Sequence, residues 1–389
     1  MTTIICSSVG ATVLHLLDFE VTIHEFSNTA PCYTPGTHVK ESRRPGPPGD
    51  EGDTRMDPSD FVWQEKLRVT PEEWQEWLLT SAISKGVKKF DTDISESGCG
   101  VSAKVRFNTT TSKPLSGFFK YNDEAKGFLY HIDAESHFQE IKAAHFDKIL
   151  QTNIVPPVVG YEFKPFETLR AERSKTELNQ HMTCRSKSNN SFRNTGIIRG
   201  SMMLWVDGVA AIEDRNEIVK AALLKQDENA IRYAVFHYLA ACGKTDHNHF
   251  SLCTGGESDD CSDSEASKFY VALDNDRCFQ PTRVQEYIPG PMQEYSERHY
   301  KKSYNNRLAI WKYVAFNTCA FPRDLAGIIL DTAEGKLPPI SKRLQNSLQM
   351  DILADDILAL HPESYHEIDE RVRALAMHIR GCKAGVSQS

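Results

Sequence analysis

The sequence has no excess of basic charge, no CxxC pair, no internal repeat and no apolar run suited to crossing a bilayer. Lysine and arginine number 45 against 53 aspartates and glutamates, a net charge of −8 with a pI near 6.0. Nothing therefore pulls the chain as a whole toward nucleic acid or an anionic membrane surface, and no nucleic-acid partner is expected. Ten scattered cysteines without a CxxC exclude paired-cysteine zinc clusters and leave dispersed disulfides or buried thiols. The apolar start, Cys6 to Leu17, lacks a basic lead and runs into Asp18 and Glu20. It is too short for a membrane span and makes a poor signal peptide. With 40 % hydrophobic and 25 % charged residues, collagen-like, disordered and polytopic membrane classes are excluded. The 389 residues suffice for two or three folding units, with a core that needs no staples.

The chain changes character along its length. Residues 28–60 hold Pro31, Pro35, Pro45, Pro47, Pro48 and Pro58 among glycines and charges, and read as a linker. An aromatic segment with Trp63, Trp74 and Trp77 follows, in which Thr70-Pro71-Glu72-Glu73 marks a helix start. Val101, Ala103, Val105 and Phe107 alternate with Ser102, Lys104 and Arg106, the pattern of a half-buried strand, and Gly117–Tyr121 reads as its returning partner. Ser136 and Gln139 then form a capping-box pattern ahead of Phe138, Ile141, Ala144 and Ile149 at helical spacing. After Met203–Val206 the sequence turns helix-rich, with Ile368, Val372, Leu375 and Ile379 on one helical stripe. Gly255–Ser267, rich in serine and acids, reads as a solvated loop. Two Asn-x-Ser/Thr sequons start at Asn108 and Asn189.

Four features bear on chemistry. Lys120 follows Phe118-Phe119 on a candidate strand, and Glu140 lies on the next helix. A strand lysine followed by a helix glutamate is the pairing that sets an ammonium against nucleotide phosphates, although each residue alone suits an ordinary snorkelling or solvated position. Thr245–Phe250 contains Asp246, His247 and His249. It suits a polar loop, a histidine-carboxylate metal site of a hydrolase, or a kinase catalytic loop with Asp246 as the base. Lys268–Leu273 is an apolar strand running into Asp274-Asn275-Asp276, which offers hard oxygens for Mg²⁺ or Mn²⁺, or simply a turn. Lysine, glutamate, aspartate loop, then strand-terminal aspartate is the order of parts in a kinase.

At these residues the chain resembles a known group. His137–Leu150, continuing through Val155-Pro156-Pro157-Val158, is similar to the helix-plus-VPP signature of the atypical secretory-pathway kinases: the Golgi casein kinase, the proteoglycan xylosylkinase, four-jointed and the Golgi-associated kinases. Asp246–Phe250 resembles their catalytic loop D-R-H-H-Y, and Asp274–Phe279 their metal motif D-N-G-R-G-F. Ser347–Asp351 is similar to a tail segment of the Golgi-associated branch. The resemblance implies an α+β, bilobed protein-kinase-like fold with a small β-rich N-lobe, one key helix and a larger helical C-lobe. The expected layout is an N-terminal region and linker over residues 1–60, an N-lobe with a helical lead-in over 61–205, and a C-lobe over 206–385. It implies ATP and Mg²⁺ or Mn²⁺ as cofactors. Lys120 and Glu140 become nucleotide-binding, Glu140 and Asp274 metal-holding and Asp246 the catalytic base. Adenine is expected near Leu204, Trp205 and Val206. The phosphate-covering loop is expected over Asn108–Gly117, with Gly98-Cys99-Gly100 a rival.

The implied function is an ATP-dependent phosphotransferase of the secretory pathway, acting on a hydroxyl of a secreted or luminal protein or of a glycan, with a dimer with a related kinase as a further expectation. The alternative is a pseudokinase that binds or regulates a partner. His247, Asp276 and Cys278 stand where the family motifs have arginine and two glycines, and glycine-specific dihedrals are what such a change disturbs. The expected location is the Golgi lumen or the extracellular space. Because that group starts with a signal or a type II anchor that Cys6–Leu17 does not supply, an anchor missing from this chain is also expected. Cys319 with Cys382, and Cys253 with Cys261, are the cysteine pairings that position suggests.

Overall fold

Thr70 starts a helix for the reason its neighbours suggest. Its hydroxyl accepts from the Glu73 backbone N–H at 3.1 Å, while Glu73 Oε2 accepts from the Thr70 N–H at 2.7 Å and Pro71 occupies the first turn. The computed structural model describes residues 61–79, 87–91, 101–107, 115–121, 136–163, 198–212, 214–242, 249–253, 268–275, 278–279 and 308–386. All of these belong to one compact unit, Asp57–Ser389. Its lead-in is a pair of short helices, α1 (Trp63–Arg68) and α2 (Pro71–Trp77).

Five strands follow: β1 (Val87–Asp91), β2 (Val101–Phe107), β3 (Leu115–Tyr121), β4 (Val158–Phe163) and β5 (Ile198–Leu204). They make one antiparallel sheet in the order β1-β2-β3-β5-β4. The period-two pattern works as expected: Val105, Phe107 and Phe119 point to one face and are fully buried, whereas Lys104 and Lys120 stand on the other. The buried face is filled by the lead-in. Trp74 and Trp77 stack at 5.4 Å, both rings meet Phe107 edge-on, and Trp74 Nε1 donates to the Met202 carbonyl at 3.0 Å. Gly117 lies inside β3 rather than in the preceding turn, because Leu115 already pairs with Phe107. A Cβ there would come within 2.6 Å of Met202 Sδ.

Helix α3 (Ser136–Leu150) connects β3 to β4. Its sequence predicts an amphipathic helix, yet Gln139, Glu140, Lys142, His145 and Asp147 are as buried as Ile141 and Ala144. The reason is a second layer: α7 (Ile340–Leu348) and α8 (Ala354–Ala359) cover the side turned away from the sheet. Among the described residues the unit also holds a small antiparallel sheet, β6 (Val209–Ile212), β7 (His249–Cys253) and β8 (Lys268–Val271), and further helices. These are α4 (Asn216–Leu223), α5 (Glu228–Leu239), a helical run over 308–317, α6 (Arg323–Ala333) and α9 (Glu363–Val386). The stripe Ile368, Val372, Leu375 and Ile379 is buried on α9 as its spacing predicts. Cys319 and Cys382 form the expected disulfide, tying the segment before α6 to α9. Cys261, the expected partner of Cys253, lies outside the described residues. The architecture is the α+β, two-lobed one that the resemblance implies. Among the described residues no helix is long and apolar enough to cross a membrane.

Candidate active site

Lys120 owes its direction to the pleat. Phe119 is committed to the core, so Lys120 emerges on the opposite face of β3, with Ser102 and Ser201 as its cross-strand partners. Helix α3 brings Glu140 there, and Lys120 Nζ donates to Glu140 Oε1 at 3.1 Å. From the other lobe comes Asp274, three residues beyond β8, whose Oδ1 lies 2.5 Å from the same ammonium. Glu140 is the buried member, its side chain 2 % exposed, against 20 % for Lys120 and 33 % for Asp274. Its second oxygen, Oε2, accepts from the Asn275 backbone N–H at 2.8 Å. One carboxylate thus joins strand β3 to the turn after β8. Residues 120, 140 and 274, separated by up to 154 positions, meet at one point.

The turn is an unusual one. Asp274 sits at φ +55°, a left-handed conformation uncommon for a residue with a side chain. It is held by neighbours. The Ala272 N–H donates to the Ile154 carbonyl at 2.9 Å, and Asn275 Nδ2 donates to the Ala272 carbonyl at 3.0 Å. The Cys278 N–H donates to the Asn275 carbonyl at 3.1 Å and the Phe279 N–H to the Ala240 carbonyl at 2.6 Å. Cys278 is bonded to Cys242, both fully buried. That cross-link is absent from the sequence-based expectations. The proximity of Cys278 to the segment that resembles a metal motif is a usable signal, but nothing in the spacing names Cys242.

The family-like helix signature divides into one site residue and several anchors. Asp147, fully buried, accepts at Oδ1 from Thr152 Oγ1 at 2.6 Å and the Ile154 N–H at 2.9 Å, which shapes the turn leading into the Val-Pro-Pro segment. Lys142 Nζ donates to the Leu360 carbonyl at 2.6 Å and lies over the Tyr365 ring at 5.0 Å. His145 Nδ1 meets Ser347 Oγ at 2.7 Å, and Ser347 in turn donates to Glu72 at 3.1 Å. Lys148 Nζ donates to the Leu67 carbonyl. The tail resemblance has a physical role as well: Asp351 accepts from the Gly160 N–H at 2.7 Å and the Leu353 N–H at 2.8 Å. Burial holds the Asp351 carboxyl above its usual range against the pull of those two donors. Beside the site, burial, and secondarily the Lys120 ammonium, lower the His137 pKa to about 4.

The segment expected to flank a base is structurally defined. Leu204 is buried in the core with its N–H on the Pro157 carbonyl at 3.0 Å, and the Trp205 N–H donates to the Ser116 carbonyl at 3.0 Å. The Trp205 carbonyl accepts from Lys66 Nζ at 3.4 Å, and Lys104 Nζ lies over the indole at 3.9 Å. Val206 packs with Leu67, Leu252 and Val271. Asp246 and His247 lie outside the described residues, as do Asp276, residues 108–114 and Gly98-Cys99-Gly100. His249, a ligand in the hydrolase alternative, is instead a core residue: it is buried with Nδ1 at 2.8 Å from the Tyr233 hydroxyl and its ring against Trp311.

Chemically, two carboxylates converging on one ammonium supply hard oxygen donors of the type Mg²⁺ and Mn²⁺ take, beside a cation suited to phosphate. No protein-family model matches the sequence, and no curated protein sequence matches it. Solved structures do. The chain is similar to the crystal structure of the Golgi casein kinase with Mn/ADP bound, at TM-score 0.50 and 15 % identity over 81 % of this chain and 77 % of that one. It is similar to the structure of hydra Fam20 with sugar, at TM-score 0.50 and 15 % identity over 82 % and 94 % of the two chains. The fold is the kinase-like fold of those proteins.

Proposed function

We propose that the chain is an ATP-dependent phosphotransferase of the secretory-pathway kinase type, with its N-lobe over residues 61–205 and its C-lobe over 206–385. The observation that carries the reading is the meeting of Lys120 with Glu140 and Asp274 across the two lobes, at 3.1 and 2.5 Å. Phosphoryl transfer asks a protein mainly for positioning and for neutralising charge, and this constellation offers both. In this reading Glu140 and Asp274 hold Mg²⁺ or Mn²⁺, which when bound offsets the negative charge of the triphosphate. Lys120 contacts the phosphates and is itself aligned by Glu140. Asp246 accepts the proton of the acceptor hydroxyl, and the Leu204–Val206 segment borders the base. The Mn/ADP held by the Golgi casein kinase of the same fold supports this cofactor assignment. Two disulfides support an oxidising compartment, the Golgi lumen or the extracellular space, and hence a secreted protein or glycan as acceptor.

The test is incubation of the purified chain with ATP, Mn²⁺ and a panel of peptide and glycan acceptors, beside Asp274→Ala. Transfer by the wild type, reduced at least about a hundredfold in the variant, is expected. Equal transfer by both defeats the assignment. Nucleotide binding without transfer to any acceptor identifies a pseudokinase instead.

A further inference from the structure

We propose that the Cys242–Cys278 disulfide is a positioning element for Asp274, setting the strength with which this site takes a divalent cation. The inference rests on the phosphotransferase reading above and goes beyond it, since nothing in that reading requires a cross-link. Asp274 and Phe279 both adopt left-handed backbone conformations, φ +55° and +58°, which residues with side chains occupy only when their surroundings dictate it. Among the described residues, the backbone of this turn is tied to the rest of the fold at two ends. At the near end, Ala272 is tied to Ile154 and the Asn275 N–H to Glu140 Oε2 at 2.8 Å. At the far end, Cys278 is bonded to Cys242 and the Phe279 N–H reaches the Ala240 carbonyl at 2.6 Å.

Residues 240–242 directly follow α5, whose Tyr233, Phe236 and His237 are fully buried. The cross-link therefore fastens the far end of the turn to a rigid part of the C-lobe. Where the resembled motif has a glycine free to adopt unusual dihedrals, this chain has a cysteine that is covalently held. The bond replaces conformational freedom with an anchor. Releasing it leaves the near end in place but lets the carboxylate of Asp274 sample positions away from Lys120 and Glu140. The cation affinity then falls, while the chemistry at saturating metal does not.

The experiment compares the full chain with Cys242→Ser/Cys278→Ser and, as a control for loss of a disulfide in general, Cys319→Ser/Cys382→Ser. Mn²⁺ binding is measured on the protein alone by the paramagnetic resonance signal of free Mn²⁺, and turnover is followed against Mn²⁺ concentration. The expected result is an Mn²⁺ Kd weakened about tenfold in the first variant, in the range seen when groups supporting metal ligands are lost, with kcat at saturating Mn²⁺ within about twofold of wild type and no change of Kd in the control. A folded first variant that binds Mn²⁺ as the wild type does overturns the proposal. So does peptide mapping without reductant that finds thiols at both positions of the wild-type chain, a result independent of whether the variant folds. A wild-type chain that binds neither Mn²⁺ nor ATP overturns the phosphotransferase reading itself, an outcome distinct from the other two.

Discussion

Replacing Glu140 by glutamine tests the centre of the site with almost no change of shape. The carboxylate accepts twice, from Lys120 Nζ at 3.1 Å and from the Asn275 N–H at 2.8 Å. An amide has a single acceptor oxygen, and its nitrogen only donates. With the oxygen toward Asn275, the NH₂ faces the Lys120 ammonium; with the amide turned over, it faces the Asn275 N–H. Either way one hydrogen bond is lost and a donor is set against a donor. Glu140 is almost wholly buried, so water does not repair the loss. A hydrogen bond involving a charged group contributes about 1.5–3 kcal/mol, which puts the cost in stability near 2 kcal/mol. With an unfolding entropy of about 2.1 cal/mol/K per residue, a unit of this size loses roughly 3 °C of melting temperature for that cost. Turnover falls much further, about a hundredfold, because both the lysine and the turn bearing Asp274 lose their common partner. Calorimetry of the two proteins with and without Mn²⁺ and ADP, together with ATP turnover, reads both effects. A glutamine variant that melts within about 1 °C of wild type and turns over equally would show that the contacts of Glu140 carry neither stability nor function.

Gly160→Ala places a Cβ against Asp351 Oδ1 and 2.8 Å from Leu353 Cγ, so the hydrogen bond from Gly160 to Asp351 must break or the tail must shift. A loss of about 1–3 kcal/mol is expected by denaturant titration, against almost none for Gly327→Ala, where a Cβ meets nothing within 4 Å; equal stability of the two variants would refute the packing argument. Acid weakens the fold through His137, whose folded pKa, about 4, lies below the ordinary 6.5. Between these values the unfolded chain binds the proton and the folded chain does not, so stability is lost as pH falls through that window and is unaffected well above it. From pH 7 to pH 5 the loss from this residue is about 2 kcal/mol, and His137→Gln is expected to remove that part of the pH dependence; an unchanged acid limb in the variant contradicts it.

The sequence order of the chemistry was readable because each piece is local. Thr70 to Glu73 carries its own cap, Val105 and Phe107 their alternation, and α9 its stripe, and all three appear where the patterns place them. The convergence of Lys120, Glu140 and Asp274 was readable from their joint order and from the resemblance, since no local rule joins positions 154 apart. Three things were not legible. The polar residues of α3 look like a solvated face, and only the packing of α7 and α8 shows them to be interior. His249 looks like a ligand in a polar loop until the strand pairing of β6 and β7 turns it toward Tyr233. Cys278 looks like a damaged glycine position, because the residue it needs lies 36 positions earlier.

Helix α3 shows why a motif that resembles a catalytic signature is mostly structural. Of its buried and partly buried polar groups Glu140 reaches Lys120, whereas Lys142, His145, Asp147 and Lys148 face the C-terminal helices, the tail, the Val-Pro-Pro turn and the lead-in. Each anchor fixes the helix from a different direction, and a buried lysine or aspartate whose partner is removed costs far more than the contact it makes. The helix is thereby held in rotation and in translation, and the side chain of Glu140 inherits that placement. The asymmetry can be measured: an anchor variant such as Lys142→Met lowers stability and moves turnover only as far as it moves the helix, whereas Glu140→Gln lowers turnover out of proportion to its cost in stability. A parallel loss of both quantities across the two variants would mean that Glu140 is one more anchor, and that the site lies elsewhere.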